Sequence, residues 1–257
     1  MKLLLLKSAS LEEPQFFANP HQALSKREEK LYFRLIKERL AGVPLSYLTG
    51  IKEFWSIPFR VSPGVLIPRP ETELIVEKVL EKSSKKEELI VDIGTGCGNI
   101  AVSLAKELPL ANIIATDVSR KALRIARLNA KLLGFTRIIF IQGDLFSPLK
   151  KIDLKGKCDF VISNPPYLSA KDWEALPVEI REHEPRKALL AGERGLEVIK
   201  KIVQRSPQFL KPGAWLILEI GAGQSLKALG LFDSRWKEIF LARDLSQIPR
   251  LVLAQKA

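Results

Sequence analysis

The chain has 257 residues, 46% of them hydrophobic and 27% charged, which suits one large α/β domain with a small appendage. No apolar run approaches the ~20 residues of a membrane helix, and the apolar run at residues 3–6 is too short for the core of a signal peptide. Two cysteines and two histidines form no metal-ligand pattern, so we expect no metal site and a reducing, cytoplasmic environment.

Residues 1–50 are predicted to form a small helical domain. Ser25 and Glu28 have the spacing of a capping box, apolar residues then recur on one face, and Gly42 follows as a stop signal. This pattern predicts a helix over residues 25–40. Residues 1–20 are predicted to hold at most one short helix.

Residues 51–87 are predicted to form a linker between two domains. Alternating apolar residues over 51–61 predict a β-hairpin, and the prolines between residues 63 and 70 predict a stiff connection. A helix is predicted over residues 71–82. The polar stretch 83–86 then marks a domain boundary.

Residues 88–257 alternate short apolar runs with helical patterns, which indicates a parallel sheet covered on both faces. The predicted strands are 89–93, 112–116, 137–142, 158–163, 214–220, 236–241 and 250–254. The predicted helices are 99–108, 119–133, 195–210 and 224–231.

The net charge of +12 raises the question of a polyanionic partner. The most basic local pattern is Arg120, Arg124, Arg127 and Lys131, which share one helix face. A solvated face explains such a stripe. The alternative is a protein that works near RNA, on or beside the ribosome.

A glycine-rich turn follows the first strand of the large domain: Gly94-Thr95-Gly96-Cys97-Gly98. Glycines are needed where the backbone approaches a ligand closely, and Asp117 after the next strand is placed to bind a ribose. The glycine spacing differs from that of dinucleotide sites, and Asp92 before the turn would suit a cationic ligand such as S-adenosylmethionine.

The third strand also ends in an acidic residue. Asp144 is expected to bind an adenine amino group, and Leu145 to pack on the ring. Each acid could instead cap a helix. Three acids at successive strand ends nevertheless favour a nucleoside site along one edge of the sheet.

The fourth strand ends in Asn164-Pro165-Pro166-Tyr167. The prolines end the strand because they cannot donate to the ladder. The Asn164 oxygen and the Pro165 carbonyl can then each accept an N–H of a planar amino group, while Tyr167 stacks on its face. A plain capped turn is the structural alternative.

Together these residues resemble the class I S-adenosylmethionine-dependent methyltransferases, and more specifically the glutamine N5-methyltransferases of peptide chain release factors (the HemK/PrmC family). The resemblance extends over nearly the whole chain. Its motifs are Pro44 to Gly50, Glu53 to Trp55, Pro63 to Glu73, Gly94 to Gly98, Ser163 to Tyr167, Glu184-Pro185, Gly192, Gly195-Leu196 and Glu219 to Gly221.

The resemblance implies a seven-stranded Rossmann-like domain, a connecting hairpin and an N-terminal helical domain that binds a class 1 release factor. The implied reaction methylates the glutamine of its Gly-Gly-Gln motif. The implied cofactor residues are Gly94, Thr95, Gly96, Cys97, Gly98, Asp117, Asp144, Leu145 and Asn164. The implied substrate residues are Asn164, Pro165, Pro166 and Tyr167, of which Asn164, Pro165 and Tyr167 are catalytic. The N-terminal domain looks about twenty residues shorter than is usual in the family.

Three other functions share some of these motifs. A methyltransferase acting on a ribosomal-protein glutamine would carry the same residues. Adenine and guanine amino-methyltransferases share the Asn-Pro-Pro-Tyr sequence, although no target-recognition domain is evident here. A non-catalytic, ribosome-associated scaffold would have no use for that tetrapeptide. The sequence does not indicate an oligomeric state.

Overall fold

The computed structural model describes residues 1–19 and 21–257, and its N-terminal part is helical. The helices of this part are α1 (Lys2–Ala9), α2 (Glu13–Ala18), α3 (Lys26–Leu40) and α4 (Leu45–Thr49). Leu4 of α1, Leu35 of α3 and Leu48 of α4 form a shared buried core, to which α2 contributes no buried residue. The capping box of Ser25 and Glu28 is present at the start of α3, as predicted.

The expectation of at most one short helix before residue 20 was wrong, because α1 and α2 are separate helices. Ser10 adopts a left-handed conformation, with φ of 52°, that ends α1. Glu12 and Gln15 then form a second capping box, with Pro14 in the first turn of α2. Pro20 lies outside the described residues.

The linker consists of the hairpin strands β1 (Ile51–Phe54) and β2 (Ile57–Arg60), a 3₁₀ turn at Pro70–Thr72 and α5 (Glu73–Lys82). Asn129 fastens the hairpin to the large domain. Its side chain accepts the Arg60 N–H at 2.8 Å and donates to the carbonyls of Arg60 and Cys97. The hairpin and the glycine-rich turn are therefore connected through one buried amide.

The large domain contains a seven-stranded sheet with the order β10-β11-β9-β6-β3-β4-β5. Its strands are β3 (Leu89–Ile93), β4 (Asn112–Asp117), β5 (Ile139–Gln142), β6 (Cys158–Ser163), β9 (Leu210–Glu219), β10 (Trp236–Arg243) and β11 (Pro249–Lys256). A separate short pair consists of β7 (Leu168–Ser169) and β8 (Leu190–Gly192). Only β11 runs antiparallel to its neighbours in the larger sheet. The predicted Rossmann-like α/β class is confirmed.

Helices cover both faces of this sheet. They include α6 (Asn99–Glu107), α7 (Arg120–Leu132), α8 (Ser147–Lys151), α12 (Glu197–Arg205) and α13 (Ser225–Leu229). Three short helices, α9 (Ala170–Glu174), α10 (Val178–His183) and α11 (Arg186–Leu189), lie between β7 and β8 in the chain. Successive strand residues pack on opposite sides: Ile90 belongs to one hydrophobic cluster and Val91 to the other. No helix of the described residues has the length and apolarity needed to cross a membrane.

Several predicted boundaries change in the structure. The helix predicted to end at residue 210 ends at Arg205, because Pro207 lies in a 3₁₀ turn, Ser206–Gln208. Strand β9 consequently starts at Leu210, which pairs with Cys158, rather than at 214. Strand β5 starts at Ile139 rather than 137. Helices α8 to α11 and the β7–β8 pair were not predicted.

Candidate active site

A cavity of about 520 Å³ opens at the carboxyl edge of the parallel strands. It lies where the strand order reverses, because β4 and β6 flank β3 on opposite sides. Ligands bind at such switch points in open α/β sheets, and the volume is that of a typical small-molecule site. The lining residues come from four segments of the sheet edge, at the ends of β3, β4, β5 and β6, from two covering segments, residues 64–66 and 185–188, and from Val198.

The glycine-rich turn is held by hydrogen bonds to the neighbouring strand. The N–H groups of Gly94 and Thr95 both donate to the Thr116 carbonyl, at 2.8 and 2.9 Å. The Gly96 N–H donates to Asp117 Oδ2 at 2.9 Å. The turn is thereby fixed against the end of β4 before any ligand binds. Gly94 and Gly96 line the cavity.

Three residues of the predicted cofactor turn do not line the cavity. The side chains of Thr95 and Cys97 are buried, and Gly98 has a φ of 84° at the start of α6. A Cβ on Gly98 would lie 3.0 Å from that of Ala126, so glycine is required for α6 and α7 to approach. These residues support the shape of the turn.

The acidic residues at the ends of β4 and β5 line the cavity, as expected from their places at the sheet edge. Asp117 accepts the N–H groups of Gly96 and Ser119 with its two oxygens. Asp144 lies with Leu145 on the same wall. This wall offers both carboxylate oxygens and an apolar surface, which suits the ribose and base of a nucleoside.

Asp92 is fully buried beneath the turn and does not line the cavity. Neither carboxylate oxygen has a hydrogen-bond partner of normal geometry in the described part of the chain. Burial raises the pKa of Asp92 from its ordinary 3.8 to about 7. The hydroxyls of Thr95 and Thr116, which also belong to this region, are likewise buried and unpaired among the described residues.

Asp92→Asn is expected to stabilise the ligand-free protein at neutral pH. The unfolded chain ionises this carboxyl near pH 4, whereas the folded protein holds its proton to about pH 7, so stability falls as pH rises between these values. At about pH 8 we expect the variant to melt roughly 5–10 °C above the wild type, and the gain to shrink towards about pH 5. Thermal melts across pH measure this. A gain independent of pH, or the same gain in the exposed control Asp153→Asn, would contradict it.

The tetrapeptide after β6 lies directly across from the glycine-rich turn. Ser163 Oγ donates to the Ile93 carbonyl at 2.6 Å, which fixes the ends of β6 and β3 together. Asn164 and Pro166 line the cavity. Asn164 also lines a second, much smaller recess of about 20 Å³ together with Tyr167 and Arg69. Asn164 therefore lines both spaces, as Leu66 and Ala188 do.

Pro165 and Tyr167 are placed differently from Asn164. Pro165 is buried and lines neither space. Tyr167 lines only the small recess, and Gln224 fixes its backbone by donating to the Tyr167 carbonyl at 2.7 Å. The structure thus brings Asn164 to the cavity with five of the predicted cofactor residues, Gly94, Gly96, Asp117, Asp144 and Leu145, and places Tyr167 in the small recess.

Two residues beside Asn164 were missed in the sequence. Asn164 Nδ2 donates to Thr72 Oγ1 at 2.9 Å, and Thr72 Oγ1 donates to Glu219 Oε2 at 2.7 Å. Both partners are almost fully buried. They belong to the motifs Pro63 to Glu73 and Glu219 to Gly221, so the sequence carried a signal but no indication of contact.

The segment over the cavity is also fixed by a carboxylate. Glu184 is buried, accepts the Ile67 N–H at 3.2 Å and forms an ion pair with Arg69. Tyr47 of the N-terminal helices donates to the Val65 carbonyl at 2.7 Å. Residues 64–69 thus connect the N-terminal helices to the cavity.

Comparison with known proteins places the chain among methyltransferases. Residues 1–50 match the family described as "PrmC N-terminal domain", and residues 70–181 match "Methyltransferase small domain". The chain is similar in fold to a methyltransferase from Pyrococcus furiosus. That structure is 17% identical, with a TM-score of 0.59 over 86% of this chain and 99% of that one.

Two curated relatives match almost end to end. The release factor glutamine methyltransferase of Coxiella burnetii is 38% identical over 257 residues, covering 99% of this chain and 90% of that protein. The enzyme of the same name from Moorella thermoacetica is 41% identical over 259 residues, with the same coverage. The chain belongs to the release factor glutamine methyltransferase family.

Proposed function

We propose that the protein transfers a methyl group from S-adenosyl-L-methionine to the side-chain amide N5 of the glutamine in the Gly-Gly-Gln motif of class 1 release factors. One observation supports this assignment more than the others. Asn164 lines both a cavity of cofactor size and the small recess beside Tyr167, so its side chain lies where a methyl donor and a planar amide would meet.

The residues of the cavity fit the proposed cofactor. Asp117 has carboxylate oxygens for the ribose hydroxyls, and Leu145 and Val118 offer apolar surface to the adenine. Asp144 is available to the adenine amino group. The unpaired oxygens of Thr95, Thr116 and Asp92 lie around the turn that would hold the rest of the ligand. When bound, the cofactor supplies an electrophilic methyl group on a positively charged sulfur.

The chain's own residues hold and orient the substrate nitrogen. An amide nitrogen is a poor nucleophile because its lone pair is delocalised into the carbonyl. In this proposal the Asn164 oxygen accepts one N–H, which favours a pyramidal nitrogen and aims its lone pair at the large cavity. The other N–H is assigned to the carbonyl of Pro165, a residue that lines neither space, so substrate binding has to bring this carbonyl into contact with the amide. The Tyr167 ring stacks on the flat face of the amide.

The proposed partner-binding region is the N-terminal part of the chain. In this proposal residues 1–50 bind the release factor, residues 51–87 link, and residues 88–257 carry out the transfer. The helices of the first part expose Phe17 and Phe33, 64% and 60% accessible, which suits a protein partner. Release factors act in the cytoplasm, so we propose that compartment.

A basic surface supports work near RNA. All four basic residues of the α7 stripe are exposed. Arg120 bonds Gln142 and Arg127 bonds the Phe140 carbonyl, whereas Arg124 and Lys131 form no ion pair within residues 1–19 and 21–257. If RNA binds here, its affinity should fall with rising salt. Replacing both residues, Arg124→Gln with Lys131→Gln, should make the dependence of log affinity on log salt shallower by the amount expected for the loss of about two phosphate contacts. A titration at several salt concentrations measures both, and salt-insensitive binding would contradict the proposal.

A labelled-methyl assay tests the function. The protein is incubated with methyl-labelled S-adenosylmethionine and, separately, a class 1 release factor, its Gln→Ala variant, ribosomal proteins, or RNA. Label on the release factor and on none of the others is the expected result. Label on RNA would support amino-methylation of bases, label on ribosomal proteins would support the sister activity, and absence of label everywhere would support a scaffold.

A further inference from the structure

A buried chain of hydrogen bonds leads away from the candidate catalytic amide. It passes from Asn164 to Thr72 at 2.9 Å and from Thr72 to Glu219 at 2.7 Å. Thr72 is 1% exposed and Glu219 is 2% exposed. The Tyr167 hydroxyl contacts the other oxygen of Glu219 at 3.4 Å. These hydrogen bonds, called the relay below, join two residues of the tetrapeptide to one carboxylate at the end of β9.

The direction of these bonds follows from the chemistry of the groups. An ionised carboxylate only accepts, so the Thr72 hydroxyl must donate its single proton to Glu219. The Thr72 oxygen is then left as an acceptor towards Asn164. Only the NH₂ side of the Asn164 amide can satisfy that acceptor, and the amide oxygen must point the other way.

We propose that Thr72 and Glu219 are positioning residues that fix the Asn164 amide with its oxygen presented to the substrate nitrogen. This inference rests on the proposed function, because the orientation matters only if Asn164 accepts an N–H from the substrate. An amide rotated by 180° would present NH₂ to the substrate's N–H groups, which would repel them. The relay excludes that rotamer.

The direction of the hydrogen bonds in the relay depends on whether Glu219 carries a proton. A protonated Glu219 can donate to Thr72, which frees the Thr72 hydroxyl to point at Asn164 and permits the rotated amide. Glu219 is surrounded by Glu71 on the 3₁₀ turn, Arg250 on β11, and the hydroxyls of Thr72 and Tyr167. Burial, reinforced by Glu71, raises the pKa of Glu219 to about 7. The relay therefore loses its fixed direction as pH falls below neutrality.

The matched pair Thr72→Val and Thr72→Ser tests the relay in the full-length protein. Valine keeps the shape and removes the hydroxyl, whereas serine keeps the hydroxyl. With S-adenosylmethionine and a release factor, we expect kcat to fall about tenfold or more in Thr72→Val. KM for both substrates should stay within about twofold, and Thr72→Ser should retain most of kcat. Equal turnover in the two variants would overturn the inference.

A second experiment keeps the Thr72 hydroxyl in place and measures how kcat depends on the protonation of Glu219. Wild-type kcat should decline between about pH 8 and pH 6 as Glu219 takes up a proton. Glu219→Gln, which is neutral throughout, should have a lower kcat that does not change over this range. A wild-type pH profile in Glu219→Gln would overturn the inference even if Thr72→Val failed to fold.

One control variant and the activity of the wild type distinguish a failure of the positioning role from a failure of the proposed function. Ser206→Ala removes another buried hydroxyl, whose partner is the Ile202 carbonyl, ahead of the opposite end of β9. It should alter melting temperature without altering kcat. If the wild type itself does not methylate the release factor, the proposed function fails. If the wild type is active and the Thr72 pair behaves alike, only the positioning role fails.

Discussion

Asn164→Ala is expected to lower kcat by roughly 10²–10³ while the affinity for S-adenosylmethionine stays within a few-fold of the wild type. The substitution removes the side-chain oxygen that holds one N–H of the substrate amide. The cofactor cavity keeps the glycine-rich turn, Asp117 and Leu145, which do not depend on Asn164 for their hydrogen bonds. Single-turnover transfer to the release factor measures the chemistry, and calorimetry with the cofactor alone measures the binding.

Asn112→Ala is the control for this substitution. Asn112 is exposed and begins β4 at the opposite edge of the sheet, so its loss should leave both measurements unchanged. Normal turnover in Asn164→Ala would remove this residue from the mechanism. A parallel loss of cofactor affinity and turnover would instead make Asn164 a binding residue for the cofactor.

Asp117→Ala is expected to weaken cofactor binding by on the order of 10²-fold, because it removes more than a ribose contact. Its two oxygens accept the N–H groups of Gly96 at 2.9 Å and Ser119 at 2.7 Å. Without them the turn loses its attachment to the end of β4, and two backbone donors lose their partner. Calorimetric titration with S-adenosylmethionine gives the dissociation constants.

A matched carboxylate at the opposite edge of the sheet distinguishes a loss of cofactor binding from a general loss of stability. Asp159 accepts the Leu89 N–H at 2.8 Å and pairs with Lys211, so Asp159→Ala removes comparable bonds away from the cavity. It should lower the melting temperature and leave the dissociation constant unchanged. A cofactor analogue without ribose hydroxyls should lose less affinity than S-adenosylmethionine when Asp117 is replaced. Equal losses for both ligands would assign Asp117 a purely structural role.

The strands that define the site could be predicted because each is a short apolar run ended by a local signal. Strands β3 and β6 have the predicted bounds, since a glycine follows Ile93 and a proline follows Asn164. A parallel sheet then brings their carboxyl ends to one edge, so Asp117, Asp144 and Asn164 could be placed together before their contacts were known.

The partners of Asn164 could not be found in this way. Thr72 is 92 residues from Asn164 and 147 residues from Glu219 in sequence. Hydrophobic periodicity describes which face of an element is buried, and it says nothing of a hydrogen bond between a linker turn and a strand end. The β7–β8 pair was missed for a related reason, because strands of two and three residues carry no readable alternation.

The burial of individual loop residues was equally hidden. Asp92 and Cys97 read as candidate ligand contacts because they lie in or beside a glycine-rich turn. In the fold both side chains are fully buried beneath it. Sequence patterns located the turn, whereas the packing of its side chains into the core decides which of its residues line the cavity.

A crystal structure of the protein with S-adenosylhomocysteine and a peptide containing the Gly-Gly-Gln motif tests the central claim most directly. We expect the adenosyl group between Asp117 and Leu145, the sulfur facing Asn164, and the glutamine nitrogen within hydrogen-bond distance of Asn164 Oδ1 and the Pro165 carbonyl. Asn164 Nδ2 should remain on Thr72. A sulfur placed away from Asn164, or a glutamine seated outside the recess beside Tyr167, would contradict the account.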